Sequence, residues 1–99
     1  MKSQPIKLNN KNAVGYEIPI GPVNLVFAVT DTGLLGCGAI DVAALEKFNY
    51  PAARVKPAGR PSIGSVEDLL AGEVKEANAG AQKRGVTVGM PGREAIERL

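Results

Sequence analysis

The stretch GLLGCGAID, Gly33 to Asp41, decides how this chain folds. Its two leucines continue an extended pattern, and the alternation of glycine and cysteine at positions 36–38 removes side chains where a strand would end. Asp41 then precedes the segment 42–48, in a position where a carboxylate accepts hydrogen bonds from the free amides of a helix's first turn. The stretch therefore predicts a strand that enters a helix through a glycine-lined turn.

Cys37, the only cysteine, lies in this turn and has two interpretations. In the favoured one, Cys37 is a small buried hydrophobic residue, the glycines permit close packing, and Asp41 only caps the helix. In the other, the helix N-terminus stabilises the Cys37 thiolate, and the amides of Gly38 and Ala39 bind an anion or an oxyanion. An enzyme of this kind would use Asp41 to orient the site and Arg93 to clamp an anionic substrate. The competing interpretation of Arg93 is a surface or intersubunit ion pair.

The composition narrows the classes of function. The chain has 99 residues, four aromatic side chains and no tryptophan, so a single domain over 1–99 has a thin core that a partner chain would help to cover. The absence of histidine excludes serine or cysteine nucleophiles activated by histidine, and histidine metal sites as well. One cysteine also excludes a thiolate zinc site within the chain. We therefore predict no metal and no cofactor.

Other features favour a cytoplasmic protein. A single cysteine forms no intrachain disulfide, and the segment from Met1 to Pro5 opens no apolar signal peptide. No apolar run approaches the ~20 residues of a membrane span, so we expect no membrane partner.

Positive charge is locally concentrated between Lys47 and Glu67, where Arg54, Lys56 and Arg60 occur without an acidic residue. A solvated basic edge is the favoured interpretation, and contact with nucleic-acid phosphates is the alternative. The whole chain carries a formal charge of only +2, which is too balanced to indicate nucleic acid by itself. Nucleic acid is therefore the weaker expectation.

The N-terminal third predicts strands. Asn9 to Asn12 is a turn cluster that predicts a hairpin between Ile6–Leu8 and Ala13–Ile20. The next strand, Asn24–Val29, is apolar on both faces, which is typical of a strand covered on both sides. Because a chain this short covers one face more easily than two, we expect another copy of the chain to cover the second.

The C-terminal part predicts mainly helices. A capping box at Ser65 begins a short helix, and Gly72 ends it. Small residues at helical spacing predict a second helix over Glu73–Lys83, and the last seven residues, Arg93–Leu99, predict a third. Two more strands are predicted at Ala53–Pro57 and Val86–Val88.

Strands followed by helices favour an α+β fold. The expected architecture is a two-layer α/β sandwich, with helices on one face of a mainly antiparallel sheet. We expect subunits to meet at the uncovered face of the early strands, an N-terminal β region for oligomerisation.

Two segments resemble the YunC-like family of small bacterial and archaeal proteins, a domain-of-unknown-function family. They are Asn24–Val42, which contains Cys-Gly-Ala-Ile-Asp, and Val86–Ala95, which contains Gly-Met-Pro-Gly-Arg-Glu-Ala. The similarity extends over nearly the whole chain. The resemblance implies a two-layer α/β sandwich whose N-terminal β region forms tetramers, and it transfers no catalytic residues.

Two functions follow as expectations. The favoured one is a non-enzymatic homo-oligomeric module, a tetramer or dimer, that binds a small anion or a partner protein. The alternative is a small cysteine-dependent enzyme that uses Cys37 in the Gly-Cys-Gly turn.

Overall fold

The computed structural model describes residues 1–99, which form one six-stranded sheet and four short helices. The strands are β1 (Lys2–Lys7), β2 (Asn12–Ile20), β3 (Val23–Val29), β4 (Leu34–Gly36), β5 (Ala52–Lys56) and β6 (Glu73–Ala77). The helices are α1 (Val42–Glu46), α2 (Val66–Ala71), α3 (Ala79–Lys83) and α4 (Gly92–Arg98). Strand order follows chain order, and only β4 and β5 pair in parallel. The predicted α+β fold with a mainly antiparallel sheet is confirmed.

The core lies on one face of the sheet, between the strands and helices α2 and α4. Val26 and Leu35 from the strands are fully buried there, together with Leu69 of α2 and Ile96 of α4. Helix α2 comes very close to the sheet at Gly15, where an added β-carbon would lie 2.7 Å from a Val66 methyl group. A glycine at this position of β2 therefore permits the close packing of the two layers.

The opposite face of the sheet, called the outer face below, is covered only at one end. At β4, the turn folds back so closely that a β-carbon at Gly36 would lie 2.7 Å from the β-carbon of Ile40. At β5, helix α1 makes contact, and Val42 and Ala52 are buried outside the main core cluster. The outer face of β2 and β3 has no comparable cover.

The predicted helix over Glu73–Lys83 is wrong, because its first half is strand β6. Gly72 ends α2 in an extended conformation, and the chain pairs at once with β5. The helix begins only after Asn78, whose side chain accepts a hydrogen bond from the Ala81 amide. Val74 and Ala77 are both buried, so a three-residue spacing that is typical of a helix here belongs to an irregular strand.

The predicted strand Val86–Val88 is also wrong. Val86 is buried, but it and Thr87 have no regular secondary structure, and Val88 is 69% exposed and begins a turn. The turn that follows pairs with β6 instead, since the Val74 amide donates to the Met90 carbonyl and the Gly89 amide donates to the Val74 carbonyl. These two bonds pair the backbone amide and carbonyl of Val74 on the outer edge of β6, although no seventh strand is present.

The remaining predicted elements occur with small shifts in their bounds. The first hairpin closes with a hydrogen bond from the Leu8 amide to the Lys11 carbonyl. Helix α1 ends at Glu46, two residues before Phe48. The segment 42–48 predicted a helix that includes Phe48, but this side chain lies outside the helix and is 78% exposed. None of the four helices has the length and apolar character that crossing a membrane requires.

Candidate functional site

The turn between β4 and α1 is held by backbone hydrogen bonds and by a helix cap. The Cys37 amide donates to the Val26 carbonyl at 3.0 Å, and the Ile40 amide donates to the Cys37 carbonyl at 3.1 Å. The Asp41 carboxylate accepts from the Ala44 amide at 3.0 Å. The predicted glycine-lined turn and the predicted capping role of Asp41 are therefore confirmed.

Cys37 belongs to the core cluster and is only 6% exposed. This burial agrees with the interpretation of Cys37 as a small hydrophobic residue that packs under the turn. Gly38 and Ala39, in contrast, are exposed, and neither amide makes a hydrogen bond to the protein.

Arg54 of β5 joins this turn to the edge of the sheet. Its Nε donates to Oε1 of Glu76 at 2.8 Å, and one terminal nitrogen donates to the Gly38 carbonyl at 3.1 Å. In the sequence, Arg54 is only one of the basic residues between Lys47 and Glu67, and this role was not predicted. No local pattern indicates it, because the parallel pairing of Gly36 with Arg54 brings the two segments together.

Two neighbouring depressions share Gly38 and Arg54. The smaller encloses about 190 Å³ and contains the candidate anion site. The larger encloses about 300 Å³ and is called the basic cleft below. The smaller depression is lined by Gly38, Ala39, Ile40, Asp41, Arg54 and Glu76. The polar and reactive groups along the basic cleft are those of Cys37, Gly38, Arg54, Lys56, Ser62 and Lys75.

Arg93 lies apart from these depressions. It is exposed in the first turn of α4 and lines a different groove, together with Asn9, Glu94 and Glu97. The structure therefore brings Gly38, Ala39 and Asp41 to one depression but does not place Arg93 in a cavity with Cys37.

The basic segment is divided by ion pairs. Arg60 pairs with Asp68, while Arg54 pairs with Glu76, and Lys56 makes no salt bridge. The pKa of Asp68 is lowered, first because its carboxylate accepts a hydrogen bond from the Gly64 amide and then because of Arg60. The three basic side chains therefore do not form one free cationic strip. No group of three or more histidine, cysteine, aspartate or glutamate side chains is arranged to hold a metal ion.

The comparisons with known proteins identify the family. The profile of the Domain of unknown function (DUF1805) matches residues 36–99, from the end of β4 to the last residue. The chain belongs to this family. It is also 30% identical over 97 residues to the uncharacterized protein YunC of Bacillus subtilis (strain 168), an alignment that covers 96% of this chain and 93% of YunC. The YunC-like resemblance is thus confirmed.

A solved structure supports the same fold. The crystal structure of a protein of unknown function from Thermoplasma acidophilum superposes with a TM-score of 0.83 and is 26% identical. The match covers 99% of this chain and 91% of that one. Within the segment that the DUF1805 profile matches lie the Cys37 turn, both depressions and all four helices, whereas β1, β2 and β3 precede it.

Proposed function

We propose that this chain is a homo-oligomeric module, a dimer or tetramer, whose subunits meet through the outer face of the hairpin formed by β2 and β3. The observation that carries the proposal is the register of that hairpin. Directly opposite residues share a face, and every pair on the outer face is apolar. The pairs are Val14–Val29, Tyr16–Phe27, Ile18–Leu25 and Ile20–Val23.

Exposure supports this proposal. Val14, Ile20 and Val23 are 37%, 51% and 57% exposed in the single chain, although all three are large and apolar. The Tyr16 and Phe27 rings stack between them, with centroids 5.1 Å apart. Monomeric soluble proteins rarely expose a contiguous apolar patch of this kind, and such patches mark interaction sites. Leu25 contributes less, because it also packs against the core.

A second copy is the occupant that fits best. The face belongs to a sheet and carries no charged side chain on β2 or β3, so an identical face can pack against it as one sheet on another. Contact through the free edge of β1 is less suitable. Pro5 has no amide to donate there, and Lys2 and Lys7 place charges along that edge.

The turn at Cys37 supports a non-enzymatic module more than an enzyme. The Cys37 thiol is buried among core residues, and the Asp41 carboxylate is engaged by the first turn of α1. Both residues therefore serve the packing and capping of the turn. We also infer a reducing compartment, the cytoplasm, since the only cysteine is an unpaired thiol.

The proposal is tested by molar mass in solution. Light scattering behind a sizing column at micromolar concentration should give a multiple of the 10.3 kDa chain mass for the wild type. Val23→Lys should shift the mass to that of one chain, because association would bury the unpaired lysine charge away from water. The control is Val88→Lys, since Val88 is an equally exposed valine away from the hairpin, and it should keep the wild-type mass. A wild type that is monomeric, or two variants that behave alike, would refute the proposal.

A further inference from the structure

We propose that the basic cleft binds a small phosphate-bearing anion. Its six polar and reactive groups include three cations, Arg54, Lys56 and Lys75, and none of the residues that line it is acidic. Arg54 is neutralised in part by Glu76, but Lys56 and Lys75 make no salt bridge. In a chain with a formal charge of only +2, two unpaired ammonium groups over one cleft leave a local excess of positive charge.

The position of Lys75 results from an irregularity in the sheet. Arg54 pairs with Glu76, but the next residue of β5, Val55, pairs with Val74. Lys75 is therefore the extra residue of a β-bulge between the two pairs. Bulges redirect a side chain and are over-represented at sheet edges and next to active sites. In a regular strand, Lys75 would pair with Val55. Because of the bulge it is unpaired, and it lies beside Arg54 and Lys56 at the cleft.

The neutral groups of the cleft are donors as well. Gly38 is an exposed residue whose amide makes no hydrogen bond to the protein, and apart from its chain neighbours no atom lies within 4 Å of the position that a β-carbon would take there. The exposed Ser62 residue adds a hydroxyl group. Phosphate oxygens accept hydrogen bonds from guanidinium, ammonium, amide and hydroxyl groups, and charged donors make the strongest of these bonds.

Size and surroundings favour a small anion over a nucleic acid. About 300 Å³ lies at the lower end of the range for ligand pockets, ~300–1,000 Å³. The adjoining depression contains the Asp41 and Glu76 carboxylates, and beyond the cleft Arg60 is paired with Asp68. A nucleic-acid backbone that followed the basic segment would therefore meet two carboxylates beside the cleft and, at Arg60, a cation that is already paired.

Calorimetry with inorganic pyrophosphate as the probe tests this proposal. The wild type should bind it, and Lys56→Gln and Lys75→Gln should each weaken the affinity by about tenfold, because a charged donor is lost. Both lysines are exposed and unpaired, so their variants should fold, which thermal melting verifies. The matched control is Lys11→Gln, in the turn between β1 and β2, which changes the net charge equally and should bind like the wild type.

Three results would overturn the proposal. The first is no binding of pyrophosphate by the wild type at millimolar concentration. The second is an equal loss in Lys75→Gln and Lys11→Gln, which indicates only net charge. The third is tighter binding of a single-stranded oligonucleotide than of pyrophosphate, with the same lysine dependence, which indicates a nucleic-acid surface. The molar mass of each variant is measured in parallel, so that failure of the anion site is distinguished from failure of the oligomer.

Discussion

The two ends of the sheet have outer faces that are completed in different ways. At β2 and β3 the outer face is apolar, and Val14, Ile20 and Val23 on it are exposed in the single chain. At β4 and β5 the same face is covered by Ile40 and α1, and beside it a polar side chain, Asn78, is buried to 4% exposure.

Asn78 satisfies four backbone groups from three segments of the chain. Its side-chain oxygen accepts from the Ala52 amide at 3.0 Å and from the Ala81 amide at 3.1 Å. Its side-chain nitrogen donates to the Val42 carbonyl at 3.0 Å and to the Tyr50 carbonyl at 2.8 Å. One amide group therefore ties α1, β5 and α3 together.

The comparison shows two ways to complete a small sheet. The β5 end is closed within one chain by directional hydrogen bonds, whose loss exposes unpaired polar groups to a dry interior. The hairpin end has only apolar surface. The hydrophobic effect that favours covering this surface is non-directional, so it does not require a partner with particular hydrogen-bonding groups. We expect the first end to set the stability of the single chain and the second to set its assembly.

The largest effect should come from Asn78→Ala. The variant removes the four side-chain hydrogen bonds from a buried site, so the free energy of unfolding should fall by at least ~3 kcal/mol in urea titrations. Asn24→Ala is the matched control in the hairpin, because Asn24 makes a single side-chain hydrogen bond, to the Gly64 carbonyl at 2.9 Å. That control should lose only ~1 kcal/mol. Equal losses would contradict the contrast between the two ends.

A second, smaller effect separates the two faces of strand β3. Val26→Ala removes buried methyl groups from the core and should lower the free energy of unfolding by ~2 kcal/mol at any protein concentration. Val23→Ala, on the outer face, should change the stability of the single chain by less than ~0.5 kcal/mol. It should instead weaken the oligomer, so that on dilution the variant dissociates to single chains at a higher protein concentration than the wild type does. If both variants lose stability independently of concentration, the outer face is not an interface.

The smallest effect concerns Asp68, which holds the N-terminal turn of α2 through its hydrogen bonds with Gly64 and Ser65. The pKa of Asp68 is lowered in the folded protein, so its ionised form favours folding. This contribution is present above the carboxyl's ordinary pKa and is lost as pH falls through the lowered value. Asp68→Asn should therefore flatten the decline in stability below about pH 4, measured by thermal melting across pH.

The control for that measurement is Asp31→Asn. Asp31 is exposed in the turn between β3 and β4, and its side chain makes no hydrogen bond. The control should keep the wild-type pH profile. A profile that is unchanged in Asp68→Asn as well would show that the hydrogen bonds from Gly64 and Arg60 do not favour folding.

Local patterns were enough where neighbours in the chain also contact each other in space. The turn cluster at Asn9–Asn12, the cap at Asp41 and the N-cap at Ser65 act over three or four residues, and all three occur as predicted. The reciprocal half of the capping box does not form, because the Asp68 carboxylate accepts from the Gly64 amide instead of the Ser65 amide. The apolar residues on both faces of Asn24–Val29 likewise predicted a strand, and the structure confirms the strand and buries Val26 and Ala28 on one of its faces. Cover of the other face by a second copy stays a prediction. These features depend on residue type and spacing, which the sequence contains directly.

Local patterns failed where partners are distant in the chain. The sequence pattern placed Asn78 within the predicted helix Glu73–Lys83, as one of its small residues. Its observed role could not be predicted, because it requires α1, β5 and α3 to come together. Arg54 read as part of a basic run, because its contacts with Gly38 and Glu76 depend on the order of β4, β5 and β6.

The sequence by itself determined the strand-turn-helix at residues 33–41, the α+β class and an apolar strand with two faces. Only the tertiary structure decided that Glu73–Ala77 is a strand, that a bulge brings Lys75 to the basic cleft, and that α1 covers one end of the outer face but not the other. The physical reason is that burial and pairing are properties of the assembled sheet. A residue's own propensity is weak beside the hydrogen bonds and apolar contacts that its distant neighbours supply.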